Sequence, residues 1–80
     1  MRSVLWAHEA ARAYDELGDK RQRDVDALLW EINQSERPGK ALKGEWKGFR
    51  SARTGDLRLI FMRTATTIDV YVLDDRRDVY

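Results

Sequence analysis

Residues 54–73 read TGDLRLIFMRTATTIDVYVL, and this stretch decides the fold. Apolar residues occupy every second position from Leu57 to Phe61 and again from Ile68 to Val72, which is the period of a β-strand. The first strand follows a turn at Thr54-Gly55-Asp56, and a second turn near residues 64–66 separates the two. Such short polar turns join antiparallel neighbours. We therefore predict a β-hairpin here.

Both faces of this hairpin carry apolar residues. The pattern places Leu57, Leu59 and Phe61 opposite Arg58, Ile60 and Met62, and it places Ile68, Val70 and Val72 opposite Asp69, Tyr71 and Leu73. We expect helices to cover one face, and the other face to be a shallow surface with polar residues among apolar ones.

The chain before Pro38-Gly39 is mainly helical in its periodicity. Ala10, Ala13, Tyr14 and Leu17 form one apolar stripe at helical spacing, and Val25, Leu28, Leu29 and Ile32 form a second. Gly18 separates the two helices, and Asp19 with Gln22 has the form of a capping box. A short strand at residues 4–6 precedes them.

A strand over Phe49 to Ala52 completes the order β-α-α-β-β-β. The prediction is a single α+β domain over residues 1–80. Its N-terminal helical hairpin packs on one face of a small, mainly antiparallel twisted sheet.

The composition excludes several kinds of chemistry. The chain has no cysteine and one histidine, His8, so it offers no thiolate nucleophile, no Cys-based zinc site and no pair of imidazoles for acid–base catalysis. No stretch is long and apolar enough for a secretory core or a membrane span, and we expect a cytoplasmic protein that needs no metal or other cofactor.

Basic charge lies in the second half of the chain. Residues 40–80 contain nine Lys and Arg against six Asp and Glu, whereas residues 1–39 contain six against eight. Arg58 interrupts an apolar strand, where its guanidinium needs a partner: Asp56, Asp69 or the Asp74-Asp75 pair for a structural ion pair, or an anionic substrate. Lys40, Lys43 and Lys47 are interleaved with Trp46 and Phe49, which suits either a charged loop or phosphate contact with base stacking.

Four short motifs then resemble the RelE/ParE toxin superfamily in order and spacing. They are Pro38-Gly39-Lys40-Ala41-Leu42-Lys43-Gly44, Gly48-Phe49, Arg53-Thr54-Gly55-Asp56-Leu57-Arg58-Leu59-Ile60-Phe61 and Arg76-Arg77-Asp78-Val79-Tyr80. The resemblance implies the toxin of a type II toxin–antitoxin pair, with a cognate antitoxin as partner. In the RelE-like branch it implies a metal-independent endoribonuclease that cuts mRNA in the ribosomal A site, by attack of a ribose 2′-OH on the adjacent phosphate.

The resemblance also implies roles for individual residues. Arg58, Arg76, Tyr80 and Arg53 would form the catalytic set, and Lys43, Lys47, Arg50 and Arg77 would contact RNA phosphates. On this hypothesis Arg58 and Tyr80 face a common hollow. Asp75 stands where many relatives have a histidine. That departure keeps two alternatives open, a ParE-like poison of DNA gyrase and a non-toxic chain that only binds an antitoxin.

Overall fold

A computed structural model describes residues 1–75. The strands are β1 (Ser3–Trp6), β2 (Lys40–Ala41), β3 (Arg50–Thr54), β4 (Leu57–Arg63) and β5 (Thr67–Asp75), and the helices are α1 (His8–Asp15) and α2 (Asp19–Gln34). They form one sheet in the order β1-β5-β4-β3-β2, in which β1 lies parallel to β5 and all other neighbours are antiparallel. A single 3₁₀ turn, Gly44–Trp46, connects β2 to β3. The predicted α+β fold is confirmed.

The core lies between the helices and one face of the sheet. Val25, Leu28, Leu29 and Ile32 of α2 are buried there, as the helical spacing predicts. They pack with Ala10 of α1 and with strand residues that include Leu57, Leu59, Phe61, Ile68 and Val70. We call this the helix face of the sheet and the opposite one the open face.

A fifth strand, β2, is missing from the predicted order. Its two residues are too few for an alternation to register, and Lys40 and Ala41 are both exposed. Gly39 allows the chain to approach β3, because its φ is +63° and a Cβ there would lie 2.2 Å from the carbonyl oxygen of Ser51. The strand therefore depends on backbone geometry more than on side-chain pattern.

A β-bulge in β5 makes one predicted alternation wrong. Ile60 pairs with Val72 but Phe61 pairs with Val70, so Tyr71 is the extra residue. Beyond the bulge the faces exchange, and Leu73 instead of Val72 joins the core. The bulge leaves Tyr71 on the open face with 42% of its surface exposed.

The ends of the helices are not capped as the sequence predicts. The N-cap of α2 is Gly18, and no side chain caps it, so the capping box is wrong. The Gln22 amide instead donates to the Tyr14 carbonyl (2.9 Å), because α1 already ends at Asp15 and leaves that oxygen accessible. At the other end of α2, the Arg63 guanidinium donates to the carbonyl oxygens of Ile32 (2.7 Å) and Ser35 (2.6 Å).

Neither helix among residues 1–75 has the length and hydrophobicity that a bilayer-spanning segment requires.

Candidate nucleic-acid interface

Two arginines meet on the open face. Arg53 of β3 and Arg58 of β4 are directly opposite each other, and both alternate with residues that pack on the helix face. Like charges at directly opposite positions of a sheet destabilise it. An arrangement that costs stability in the free protein suits a site whose ligand is an anion.

Asp74 of β5 compensates part of this charge. Arg58 Nη2 donates to Asp74 Oδ2 (2.8 Å), and the two side chains are 32% and 45% exposed. The structural ion pair that the sequence allowed for Arg58 is therefore present, with Asp74 as the partner. Arg58 Nε is buried and has no hydrogen-bond acceptor within residues 1–75. One donor of the guanidinium thus has no acceptor in the described part of the chain.

A cavity of about 620 Å³ adjoins the two arginines. It borders β3 and β2 and is lined by Leu28, Glu31, Gly39, Lys40, Leu42, Ser51, Ala52, Arg53 and Arg58. Three of these side chains are cationic and one is a carboxylate, so the lining is basic overall. The cavity lies between α2 and the β2–β3 edge of the sheet, and the two arginines form part of its wall.

A row of aromatic rings continues the open face away from the arginines. Phe49 makes edge-to-face contacts with Trp46 (5.1 Å between ring centroids) and with Tyr71 (4.8 Å). Trp46 is 37% exposed and Tyr71 is 42% exposed. Trp46 and Phe49 were candidates from the sequence, whereas Tyr71 was not, although the alternation already placed it on the face opposite Val70.

The remaining predicted residues divide into three groups. Lys43 and Lys47 flank the 3₁₀ turn and are exposed. Arg50 lies on the helix face, where its guanidinium donates to the carbonyl oxygens of Pro38 and Gly39, so the structure separates it from Arg53 and Arg58. Arg76, Arg77 and Tyr80 lie outside the described residues.

Asp75 faces the other way from Asp74. Its carboxylate forms a bidentate ion pair with Arg21 of α2, and the two side chains are only 18% and 19% exposed. Asp75 therefore joins β5 to α2 on the helix face. The carboxylate that meets Arg58 is its neighbour.

His8 is an exposed residue at the start of α1. Within residues 1–75 no three His, Cys, Asp or Glu residues are grouped as metal ligands would be.

Several solved structures share the fold. The chain matches a toxin–antitoxin complex, RelBE2 from Mycobacterium tuberculosis, with 26% identity and a TM-score of 0.78 over 94% of this chain and 98% of the other. It matches the YoeB–YefM complex from Staphylococcus aureus with 17% identity, TM-score 0.77, 92% of this chain and 95% of the other. The RelB–RelE antitoxin–toxin complex from Methanococcus jannaschii matches with 17% identity, TM-score 0.69, 96% of this chain and 95% of the other.

No protein-family model and no curated protein matches the sequence. The structural matches nevertheless confirm the superfamily resemblance that residues 38–80 suggested. The chain has the fold of the RelE-like toxins, and the three relatives described above are structures of toxin–antitoxin complexes.

Proposed function

We propose that the protein is the toxin of a type II toxin–antitoxin pair and acts as a metal-independent endoribonuclease on mRNA in the ribosomal A site. The observation that carries the proposal is the pair Arg53 and Arg58, side by side on the open face and bordering a basic cavity. A phosphodiester accepts hydrogen bonds from guanidinium groups with good geometry, which relieves the charge repulsion between Arg53 and Arg58.

The chemistry requires only a 2′-OH nucleophile and stabilisation of negative charge. Attack of the ribose 2′-oxygen on the adjacent phosphorus forms a cyclic phosphate and breaks the bond to the 5′-oxygen, which leaves with a proton. Negative charge on the phosphoryl oxygens increases in the transition state, where fixed guanidinium donors are most effective. Arg58 and Arg53 supply those donors. The Tyr80 phenol, together with Arg76, is proposed to assist proton transfer from the 2′-hydroxyl and to the leaving 5′-oxygen.

The aromatic row is proposed to hold bases next to the reacting phosphate. Exposed rings on a basic surface stack on nucleobases with little regard to sequence. Trp46 and Tyr71 present such rings, and Lys43 and Lys47 bracket Trp46 with positive charge. An extended single strand then has its backbone at the arginines and its flanking bases at the rings.

Antitoxin binding is the second part of the proposal. The RelBE2, YoeB–YefM and RelB–RelE structures are complexes of toxins with their antitoxins. A toxin that cuts mRNA in the cytoplasm must be held inactive until needed, and we propose a cognate antitoxin for this chain.

A reconstituted translation reaction tests the nuclease. Primer extension on ribosome-bound mRNA is expected to show discrete cuts with the wild-type protein, at least 100-fold fewer with Arg58→Ala, and unchanged cutting with Arg12→Ala. Arg12 is an exposed arginine of α1, so it controls for loss of one positive charge. Intact mRNA with accumulated gyrase–DNA cleavage complexes indicates the ParE-like function instead, and no effect in either assay indicates a non-toxic antitoxin-binding chain.

A further inference from the structure

The outer edge of β1 has no strand beside it. β1 is the last strand of the sheet, and its inner edge pairs with β5. The Ser3 amide donates to Thr66 O and the Ala7 amide to Val70 O, both at 2.9 Å. Because alternate residues of a parallel strand face the same neighbour, the backbone amides and carbonyls of Val4 and Trp6 face outward. Within residues 1–75, the backbone groups of Val4 and Trp6 make no hydrogen bond outside the helices and the strand pairing.

This edge is short, at four residues, but it carries none of the charges or prolines that otherwise protect an edge strand from pairing. Natural edge strands carry charges or proline, or are very short. Ser3–Trp6 has neither charge nor proline, and Leu5 is 55% exposed on the open face. The nearest cation is Arg2, whose guanidinium is already held by the carbonyl oxygens of Thr64 (2.8 Å) and Asn33 (2.8 Å). By contrast β2, at the opposite edge, has only two residues and begins with Lys40.

A cavity of about 370 Å³ opens beside this edge on the helix face. Its walls are mostly apolar or aromatic, with two carboxylates, and comprise Val4, Trp6, Ala11, Tyr14, Asp15, Asp26 and Leu29. The Trp6 and Tyr14 rings are in contact, with centroids 4.9 Å apart. A side chain with a long apolar stem and a polar end fits these walls.

The two carboxylates make the cavity negatively charged. Within residues 1–75 neither Asp15 nor Asp26 has a Lys, Arg or His nitrogen within ion-pair distance. The Tyr14 hydroxyl donates to Asp26 Oδ1 (2.8 Å), and burial, with the Asp26 hydrogen bond, raises the Tyr14 pKa to about 12. The phenol therefore stays a neutral donor and leaves the carboxylate charge uncompensated.

We propose that the β1 edge and this cavity together bind an extended peptide segment of a partner protein. The segment adds a strand to β1 at Val4 and Trp6, as in known cases of strand addition. One Lys or Arg side chain enters the cavity, with its stem against Trp6 and Tyr14 and its charge at Asp15 and Asp26. Because side chains alternate between faces, the next residue of the segment is apolar and lies against Leu5. This site lies at the edge of the sheet opposite β2 and β3. It does not depend on the proposed nuclease activity.

The peptide acetyl-Val-Lys-Val-Lys-Val-amide is the probe, titrated into the ¹⁵N-labelled full chain. We expect saturable shifts at the Val4 and Trp6 amides, and binding at least fivefold weaker when norleucine replaces both lysines. Asp26→Asn is expected to weaken binding about threefold, whereas Asp56→Asn, which removes an equal charge at the β3–β4 turn, leaves it unchanged. Binding is expected to persist in Arg58→Ala, so this test is independent of the nuclease test.

Backbone methylation of the peptide tests strand addition itself. Only alternate amides of an added strand face β1, so methylating one alternate set is expected to abolish binding and methylating the other to leave it intact. Which set matters reveals whether the added strand is parallel or antiparallel. Equal binding of both methylated peptides, equal binding of the norleucine peptide, or no saturable shift at Val4 and Trp6 up to millimolar peptide each overturns the proposal.

Discussion

The guanidinium of Arg58 donates to the carboxylate of Asp74 across β4 and β5, with Nη2 and Oδ2 2.8 Å apart. The same guanidinium lies opposite Arg53 and borders the basic cavity. Asp74 therefore holds Arg58 in place and also competes with any phosphate that approaches it. Because both side chains remain partly exposed, the ion pair can open without disturbing the core.

Replacing Asp74 with asparagine is expected to strengthen RNA binding. Asp74→Asn removes a negative charge next to the site, and we expect the dissociation constant of a short single-stranded RNA to fall about three- to tenfold at low salt. Fluorescence anisotropy at several salt concentrations measures this, and the gain should shrink as salt screens the charge.

The adjacent residue provides the control. Asp75→Asn breaks the ion pair with Arg21 on the helix face, and we expect it to lower the free energy of unfolding by about 1–3 kcal/mol with RNA affinity unchanged. If Asp75→Asn strengthens RNA binding, or if Asp74→Asn does not, then general electrostatics and not the Arg58–Asp74 ion pair determines RNA affinity.

Arg63 is expected to stabilise the C-terminal end of α2. Its guanidinium donates to the Ile32 and Ser35 carbonyls, which have no partner within the helix. Arg63→Met should lower the free energy of unfolding by about 2–3 kcal/mol in urea denaturation, since hydrogen bonds from a charged donor are strong. Arg53→Met removes an exposed arginine together with its repulsion from Arg58, so it should leave the free energy of unfolding unchanged or raise it by up to about 1 kcal/mol; equal losses in both variants would contradict the capping role.

Side-chain periodicity predicted most of the fold. Periodicity reports which side chains are buried, and the core of the fold consists of those side chains. They come from the two helical stripes at residues 10–17 and 25–32 and from the alternation between Leu57 and Phe61. Periodicity carries no information about backbone irregularity. The two-residue strand β2 and the bulge at Tyr71 were missed for that reason, since both depend on local hydrogen bonds.

The site was predictable in its residue types but less so in its geometry. The family resemblance assigned Arg53 and Arg58 to one site, and the structure has them directly opposite each other on neighbouring strands. Arg50, three residues before Arg53, falls on the other face because strand faces alternate. Similarly, which of Asp74 and Asp75 meets Arg58 depends on the bulge, which exchanges the faces of β5 beyond Tyr71.

The Tyr14 phenol should make stability fall at high pH. Its pKa is raised from 10.0 to about 12 by burial and by Asp26, so the folded state retains the proton longer than the unfolded state does. The contribution is complete below about pH 10 and is lost as pH rises from about 10 to about 12. Urea denaturation of wild type and Tyr14→Phe across this range should show the extra decline only in the wild type. In addition, the wild-type-minus-variant absorbance at 295 nm should titrate near pH 12, and a midpoint near 10 would show that partial burial and Asp26 together do not raise the pKa of this phenol.

Tyr71 is expected to contribute to RNA binding through its ring and not its hydroxyl. The ring is exposed beside Phe49, and stacking of a base on such a ring is worth about 1–3 kcal/mol. Tyr71→Ala should therefore weaken binding of a short single-stranded RNA about fivefold or more, whereas Tyr71→Phe should bind like wild type. An RNA with one abasic position isolates the effect, because the base that contacts Tyr71 should matter to wild type and not to Tyr71→Ala. If every abasic RNA loses the same affinity in both proteins, the ring does not hold a base and the open face binds RNA through its charges alone.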